Sequence, residues 1–290
     1  VSTFQGTYTA LITPFKNGEI DYDAYAKLIE RQIEGGVEGI VPAGCTGEAA
    51  TMRPEEQLKL IGFAVECSKG RVQVVAGTGS NNTREAIELT VAAGQHDIQG
   101  VLVISPYYNK PTQAGLIKHY SQIADESKAP VMVYNVPGRT GIKIEPETLA
   151  EMAKHPNIQS VKEACGSVDQ VSEIIARCDL DVLSGDDPLT LPMMSVGAKG
   201  VVSVSSNIAP KEVSTLVRCA LEGDYVSAKQ AHYELLRLHK SMFIETNPIP
   251  VKTVMVELGY VANELRMPLE TATDKTTVAM RQLIQDFNLS

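Results

Sequence analysis

Nothing among the 290 residues reads as a membrane span, since no stretch approaches the ~18 consecutive apolar residues a helix needs to cross a bilayer. The opening VSTFQGTYTALITPF has no basic start and no small-residue cleavage pattern, so a cytoplasmic protein is expected. Basic charge is also scarce. With 26 Lys and Arg against 35 Asp and Glu, the net charge of -9 argues against a nucleic acid or an anionic membrane surface as the main partner. The 5 cysteines, Cys45, Cys67, Cys165, Cys178 and Cys219, are odd in number, scattered and without CxxC spacing. They indicate neither a disulfide framework nor a zinc site, and reduced thiols are expected. The 5 histidines are dispersed and form no HxH or HExxH, so no metal is expected. Internal repeats and low-complexity tracts are absent as well.

What is present is an alternation. Apolar, β-branched segments at 8–13, 39–43, 73–77, 100–104, 131–135, 158–162, 182–184 and 200–204 read as eight strands. Between them lie segments of helical period, such as DYDAYAKLIERQIEGG and TREAIELTVAAGQ, with Pro, Thr or Asp starts and Gly or polar stops. GIVPAG, VQVVAG and GVLVIS are continuously apolar, as strands covered on both faces should be. Eight successive β/α units favour a closed (β/α)8 TIM barrel, an α/β fold, over an open doubly wound sheet. The open sheet usually shows GxGxxG after its first strand, where this chain has TPFKNGEID. From residue 210 only helical patterns follow, without a linker. The expected organisation is a barrel catalytic domain over 1–209 with a C-terminal helical region, 210–290, packed on it.

A parallel barrel carries its chemistry at the C-terminal ends of its strands. After strands two to seven stand PAGCTGEAAT, AGTGSNNT, SPYYNKP, YNVPGRTG, VKEACGS and SGDDP, a rim of polar groups. Lys162 ends the sixth strand in NIQSVKEACGS. A lysine at a strand end is ordinarily a solvated charge. In a barrel mouth, burial would instead lower its pKa from ~10.4 to about 7 to 8, which takes about 3 to 5 kcal/mol and yields an amine able to attack a carbonyl. Tyr134, on the neighbouring strand, is either core packing or a group placed to move protons during carbinolamine formation and dehydration. Tyr107 and Tyr108 need a ligand or another subunit to cover them. Arg139 is a fork suited to a carboxylate, or else a loop charge. The Gly-flanked GCTGEA turn offers backbone N–H groups to an anion, and Asp186 and Asp187 before Pro188 read as a helix N-cap.

In this order, GCTGEA, AGTGSNNT, SPYYNKP, YNVPGRTG, SVKEACG and LSGDD resemble the dihydrodipicolinate synthase (4-hydroxy-tetrahydrodipicolinate synthase) family, within the Schiff-base pyruvate aldolases that include N-acetylneuraminate lyase. The resemblance extends from about residue 4 into the C-terminal region, where NPIPVK and LRMPL also fit. YNVPGRTG discriminates most, because the sugar-acid members typically lack its Arg. The resemblance implies a lyase, without a cofactor, that condenses pyruvate as a Schiff base on Lys162 with L-aspartate 4-semialdehyde in lysine and diaminopimelate biosynthesis. It implies Tyr134 as proton donor and acceptor, Thr46 as the holder of the pyruvate carboxylate, and Arg139 as the receiver of the semialdehyde carboxylate. Gly185 and Val202 would line the pocket through backbone atoms. Tyr108 would cross a tight dimer into the neighbouring site, with two dimers forming a homotetramer.

One position departs from the family's pattern. Its turn normally reads GTTGE, so Cys45 stands where a Thr hydroxyl would link the two tyrosines in a catalytic proton relay. A thiol is a weaker donor and a larger, softer atom, and the relay should be impaired unless water or a shift of Tyr108 compensates. Asn81, Glu85 and Tyr107 match positions that bind lysine at the dimer interface of feedback-sensitive members, and Ala49 and Ala50 suit the small-residue wall there. Pro54 and Gln57 replace histidines that some of those members use. Two other readings stay open: an aldolase acting on a sugar acid or N-acylneuraminate-type aldehyde, and a barrel that binds without catalysing.

Overall fold

Eight parallel strands close into a barrel in a computed structural model that describes residues 3–289. They are Gly6–Ala10, Gly39–Val41, Gln73–Gly77, Gly100–Ile104, Val131–Asn135, Ile158–Glu163, Asp181–Ser184 and Gly200–Ser203. Each pairs with its neighbour in sequence, and the last closes on the first with Tyr8 opposite Val202. The expected (β/α)8 barrel is the observed one. Its first strand differs from the predicted 8–13 because the apolar run leaves the ladder after Ala10. Leu11 N–H still reaches the Val41 carbonyl (3.2 Å), but Ile12 N–H is taken by the Asn207 side chain (3.0 Å). Downstream, Phe15–Lys16 and Glu19–Ile20 form a small hairpin about Asn17 and Gly18, both at positive φ. That is the Asn-Gly turn signal within TPFKNGEID.

The continuous apolarity of the strands follows from their two packed faces. On one face Tyr8, Val41, Val75, Leu102, Met132, Tyr134, Leu183 and Val202 fill the barrel interior. On the other, Val101, Val103, Val133, Val161, Val182 and Val201 join the core shared with the surrounding helices. Alternate residues therefore enter different cores, and each buried Val or Leu contributes about 1.5–3 kcal/mol. Four helices follow the last strand: Pro210–Leu221, Tyr225–Ser241, Ile249–Glu257 and Asp274–Phe287. Their Leu216, Val217, Leu235, Leu238, Val251, Val254 and Leu283 belong to that same outer core. Pro210–Leu221 packs on the first strand and Tyr225–Ser241 packs on Pro210–Leu221. Among the described residues, no helix is long and apolar enough to cross a membrane, and no cluster of His, Cys, Asp and Glu is arranged to hold a metal ion.

Candidate active site

Strand alternation decides where Lys162 points. Val161 faces the helices, so the next residue turns into the barrel, in register with Tyr134 on one side and Leu183 on the other. The Lys162 side chain is 5% exposed, and its Nζ lies 4.1 Å from the centre of the Tyr134 ring. Burial lowers its pKa to about 8, Cys45 and Asp187 pull it upward, and the Arg139 guanidinium pushes it further down. About a tenth of such amines are neutral at pH 7, several hundredfold more than for an ordinary lysine. Gly185 makes the room. A Cβ there would stand 2.9 Å from Lys162 Cε and 2.7 Å from Ala164 Cβ, so a side chain at this position would displace the lysine.

Around the amine stand a phenol and a thiol. Burial pushes the Tyr134 phenol far above its ordinary range, Cys45 adds to the shift and Arg139 opposes it. At neutral pH Tyr134 is therefore a protonated donor beside the nucleophile. Cys45 is half-buried and packs against the interior cluster that contains Tyr134, Leu183 and Val202. After burial, Cys45 is the neighbour that most affects both Lys162 and Tyr134, raising the pKa of each. A hydroxyl in its place would donate more strongly in a space of similar size. Cys45→Thr is therefore expected to keep or raise kcat, and a large loss in steady-state turnover would give the thiol a role of its own.

Thr46 is buried on the turn that follows the second strand. Its Oγ1 accepts a hydrogen bond from Asn247 Nδ2 (2.9 Å), and the Asn247 carbonyl accepts one from Arg139 Nη2 (3.2 Å). One residue of the C-terminal region thus joins Thr46 to Arg139. The turn itself is pinned from below. Glu48, at φ 58, is fully buried against Lys252, with Nζ to Oε1 at 2.6 Å. Its other oxygen accepts from Arg266 N–H (3.0 Å). Lys252 also donates to the Glu264 carbonyl (2.8 Å) and lies 4.6 Å from the centre of the Phe15 ring. Thr13 Oγ1 donates to the Gly47 carbonyl (2.7 Å), where a Cβ would come within 3.0 Å of the Leu11 carbonyl oxygen.

The remaining candidates divide between this pocket and the surface. Val202 is buried in the interior cluster with Tyr134. Arg139 is exposed on the short helix Pro137–Thr140. Tyr108 is 90% exposed at φ 74, so the single chain does not bring it against its own Lys162. Asn81 donates to the Tyr107 carbonyl (3.1 Å), and Glu85, in the first turn of the helix Thr83–Ala93, accepts from the adjoining Ser80 (2.9 Å). Ala50 stands exposed on the separate turn Ala49–Thr51.

The N-cap reading of Asp186 and Asp187 is corrected. Asp186 makes no side-chain cap, and Asp187 turns inward to accept from the Ser203 hydroxyl and from the N–H groups of Val204 (2.9 Å) and Ser205 (3.2 Å). The carboxylate serves these buried N–H groups leaving the last strand instead of its own helix, because a charged acceptor makes the stronger hydrogen bonds they need away from water. Sequence reasoning does not single out Asn247 and the Glu48–Lys252 pair as supports of the Thr46 turn, or Asp187 as the acceptor for the chain leaving the last strand. All four lie inside motifs quoted above, Glu48 in GCTGEA, Asp187 in LSGDD and both Asn247 and Lys252 in NPIPVK, which is the one signal that could have drawn attention to them.

Comparison with known proteins agrees with this geometry. The model of the dihydrodipicolinate synthetase family matches residues 3–287. A 4-hydroxy-tetrahydrodipicolinate synthase of Leptospira biflexa is 50% identical over 275 residues, 94% of each chain. The crystal structure of dihydrodipicolinate synthase from Aquifex aeolicus superposes with a TM-score of 0.97 at 47% identity, covering 99% of each chain. The chloride-inhibited dihydrodipicolinate synthase of Acinetobacter baumannii, complexed with pyruvate, gives 0.96 at 39% identity, again over 99% of each. A buried amine at the mouth of an eight-stranded barrel, and likeness of this degree from end to end, lead to one conclusion: the chain belongs to the dihydrodipicolinate synthetase family.

Proposed function

We propose that this chain is a lyase that condenses pyruvate with L-aspartate 4-semialdehyde, the reaction of the 4-hydroxy-tetrahydrodipicolinate synthases it resembles, in lysine and diaminopimelate biosynthesis. The observation that carries the reading is the buried Lys162 amine, its pKa held near 8, beside the Tyr134 ring. The neutral amine attacks C2 of pyruvate, and Tyr134 gives a proton to the oxygen as the carbinolamine loses water. The resulting iminium is the electron sink, so no cofactor is needed. Loss of a C3 proton gives an enamine that attacks the aldehyde, and cyclisation through the semialdehyde amine releases Lys162. Thr46 receives the pyruvate carboxylate, Arg139 receives that of the semialdehyde at the entrance, and Gly185 and Val202 form walls. Cys45 occupies the relay position between Tyr134 and Tyr108.

The exposure and positive φ of Tyr108 support its reaching into a neighbouring site across a tight dimer, two of which make a homotetramer. Residues 1–209 are the catalytic barrel and 210–290 the helical region packed on it. Asn81, Glu85 and Tyr107, with Ala50, form a lysine-binding group at that dimer face. The cytoplasm is the proposed location, a compartment that suits five free cysteines.

A coupled assay with aspartate semialdehyde and a downstream reductase tests the whole reading. Arg139→Ala separates it from a sugar-acid aldolase. Losing a charge-assisted pair worth about 1.5–3 kcal/mol should lower kcat/KM for the semialdehyde by about 10- to 150-fold while pyruvate capture persists. Unchanged semialdehyde kinetics in that variant, or a wild type active only on sugar-acid aldehydes, would move the assignment to the rival.

A further inference from the structure

We infer that Asn247 is a positioning residue that commits the Thr46 hydroxyl to its role as a hydrogen-bond donor to the pyruvate carboxylate; this rests on the function proposed above. A hydroxyl has one proton and two lone pairs, and can face an anion either way round. Asn247 Nδ2 donates to Thr46 Oγ1 at 2.9 Å and so occupies a lone pair. The Thr46 proton is left for an acceptor, which for a bound keto acid is the carboxylate.

Asn247 is itself held from two sides. Its backbone carbonyl takes the Arg139 guanidinium at 3.2 Å, and the adjoining helix Ile249–Glu257 is anchored to the Thr46 turn through Lys252 and Glu48 at 2.6 Å. The side chain is 5% exposed, yet its Oδ1 is buried with no hydrogen-bond partner among the described residues. A buried amide kept half-satisfied calls for a functional reason. Here the satisfied half faces Thr46. Because Arg139 is bound by the backbone and not by the amide, changes to the Asn247 side chain should act on the pyruvate end and spare the aldehyde end.

The test uses the full chain and reads pyruvate-dependent borohydride labelling of Lys162 as a function of pyruvate concentration, together with steady-state KM and kcat for both substrates. Asn247→Ala is expected to raise half-saturation by pyruvate about 5- to 10-fold, the loss of one orienting hydrogen bond. Asn247→Asp should raise it about 100-fold or more, since the carboxylate draws the Thr46 proton to itself and repels the substrate anion. In both variants KM for the semialdehyde and kcat at saturating pyruvate should stay within about 3-fold of wild type. Should the Asp variant fail to fold, a cycle with Thr46→Val decides, because Asn247→Ala should add nothing once the hydroxyl is gone. Equal effects of Ala and Asp, unchanged half-saturation, or full additivity with Thr46→Val would each overturn the inference while leaving the lyase reading intact. A wild type that takes no label with pyruvate would remove both.

Discussion

Lys162→Met is expected to abolish pyruvate-dependent borohydride labelling and to lower turnover at least about a thousandfold, equivalent to some 4 kcal/mol of lost barrier reduction, because the covalent route disappears with the amine. The same residue sets the pH response. With its pKa near 8, the neutral fraction and hence kcat/KM for pyruvate should rise tenfold per pH unit below 7 and level off just above 8. Stability should move the same way for a different reason. The folded pKa lies below the unfolded one, so between about 8 and 10.5 the unfolded chain binds more protons and stability climbs with pH. Below that window the cost of the buried ammonium is full, about 3 kcal/mol. Methionine removes it. The inactive variant should therefore melt higher than wild type at pH 7, and the gap should close by pH 10.5. Titration of Lys162 near 10.5 in the native protein, or persistent turnover by the variant, would end the proposal.

Lys252→Met is expected to destabilise the fold by about 3–5 kcal/mol, because it strands the carboxylate of Glu48 in a fully buried position. Burial already holds the Lys252 ammonium below its ordinary range, and Glu48 only partly offsets that. The pair is thus no cheap source of stability, and its removal from one side is far costlier than removal from both. The Glu48→Leu/Lys252→Met double variant should recover much of the loss in Tm. It should still bind pyruvate more weakly, since the Thr46 turn loses its anchor. Exposed pairs such as Arg177 with Glu147 give the contrast: their loss should shift Tm by little. A single Lys252→Met variant melting within a degree or two of wild type would refute the claim that this pair holds the turn.

Local pattern carried the fold a long way. Strands such as Gln73–Gly77, Gly100–Ile104 and Val131–Asn135 are legible to the residue, because a strand covered on both faces must be apolar throughout. Chain order then made Tyr134 and Lys162 neighbours, for in a singly wound barrel consecutive strands pair, as the register of the two residues shows. The first strand was less legible. Leu11, Ile12 and Thr13 are as buried as a strand residue, and only the distant Asn207 side chain shows that they have left the ladder.

Hydrophobic period and strand order, both local, were enough by themselves to determine a barrel with a lysine at its mouth. The depth of that lysine, and with it the lowered pKa, came from the walls built by Leu183, Gly185 and the ring of Tyr134 once the barrel closed. The meeting of Thr46 and Arg139 at Asn247, and of Glu48 with Lys252, was likewise decided only in three dimensions. Periodicity reports which face of an element is buried. It carries no record of which side chain, a hundred or two hundred residues away, will be needed to satisfy a polar group there, because that partner is selected by geometry after the cores have packed.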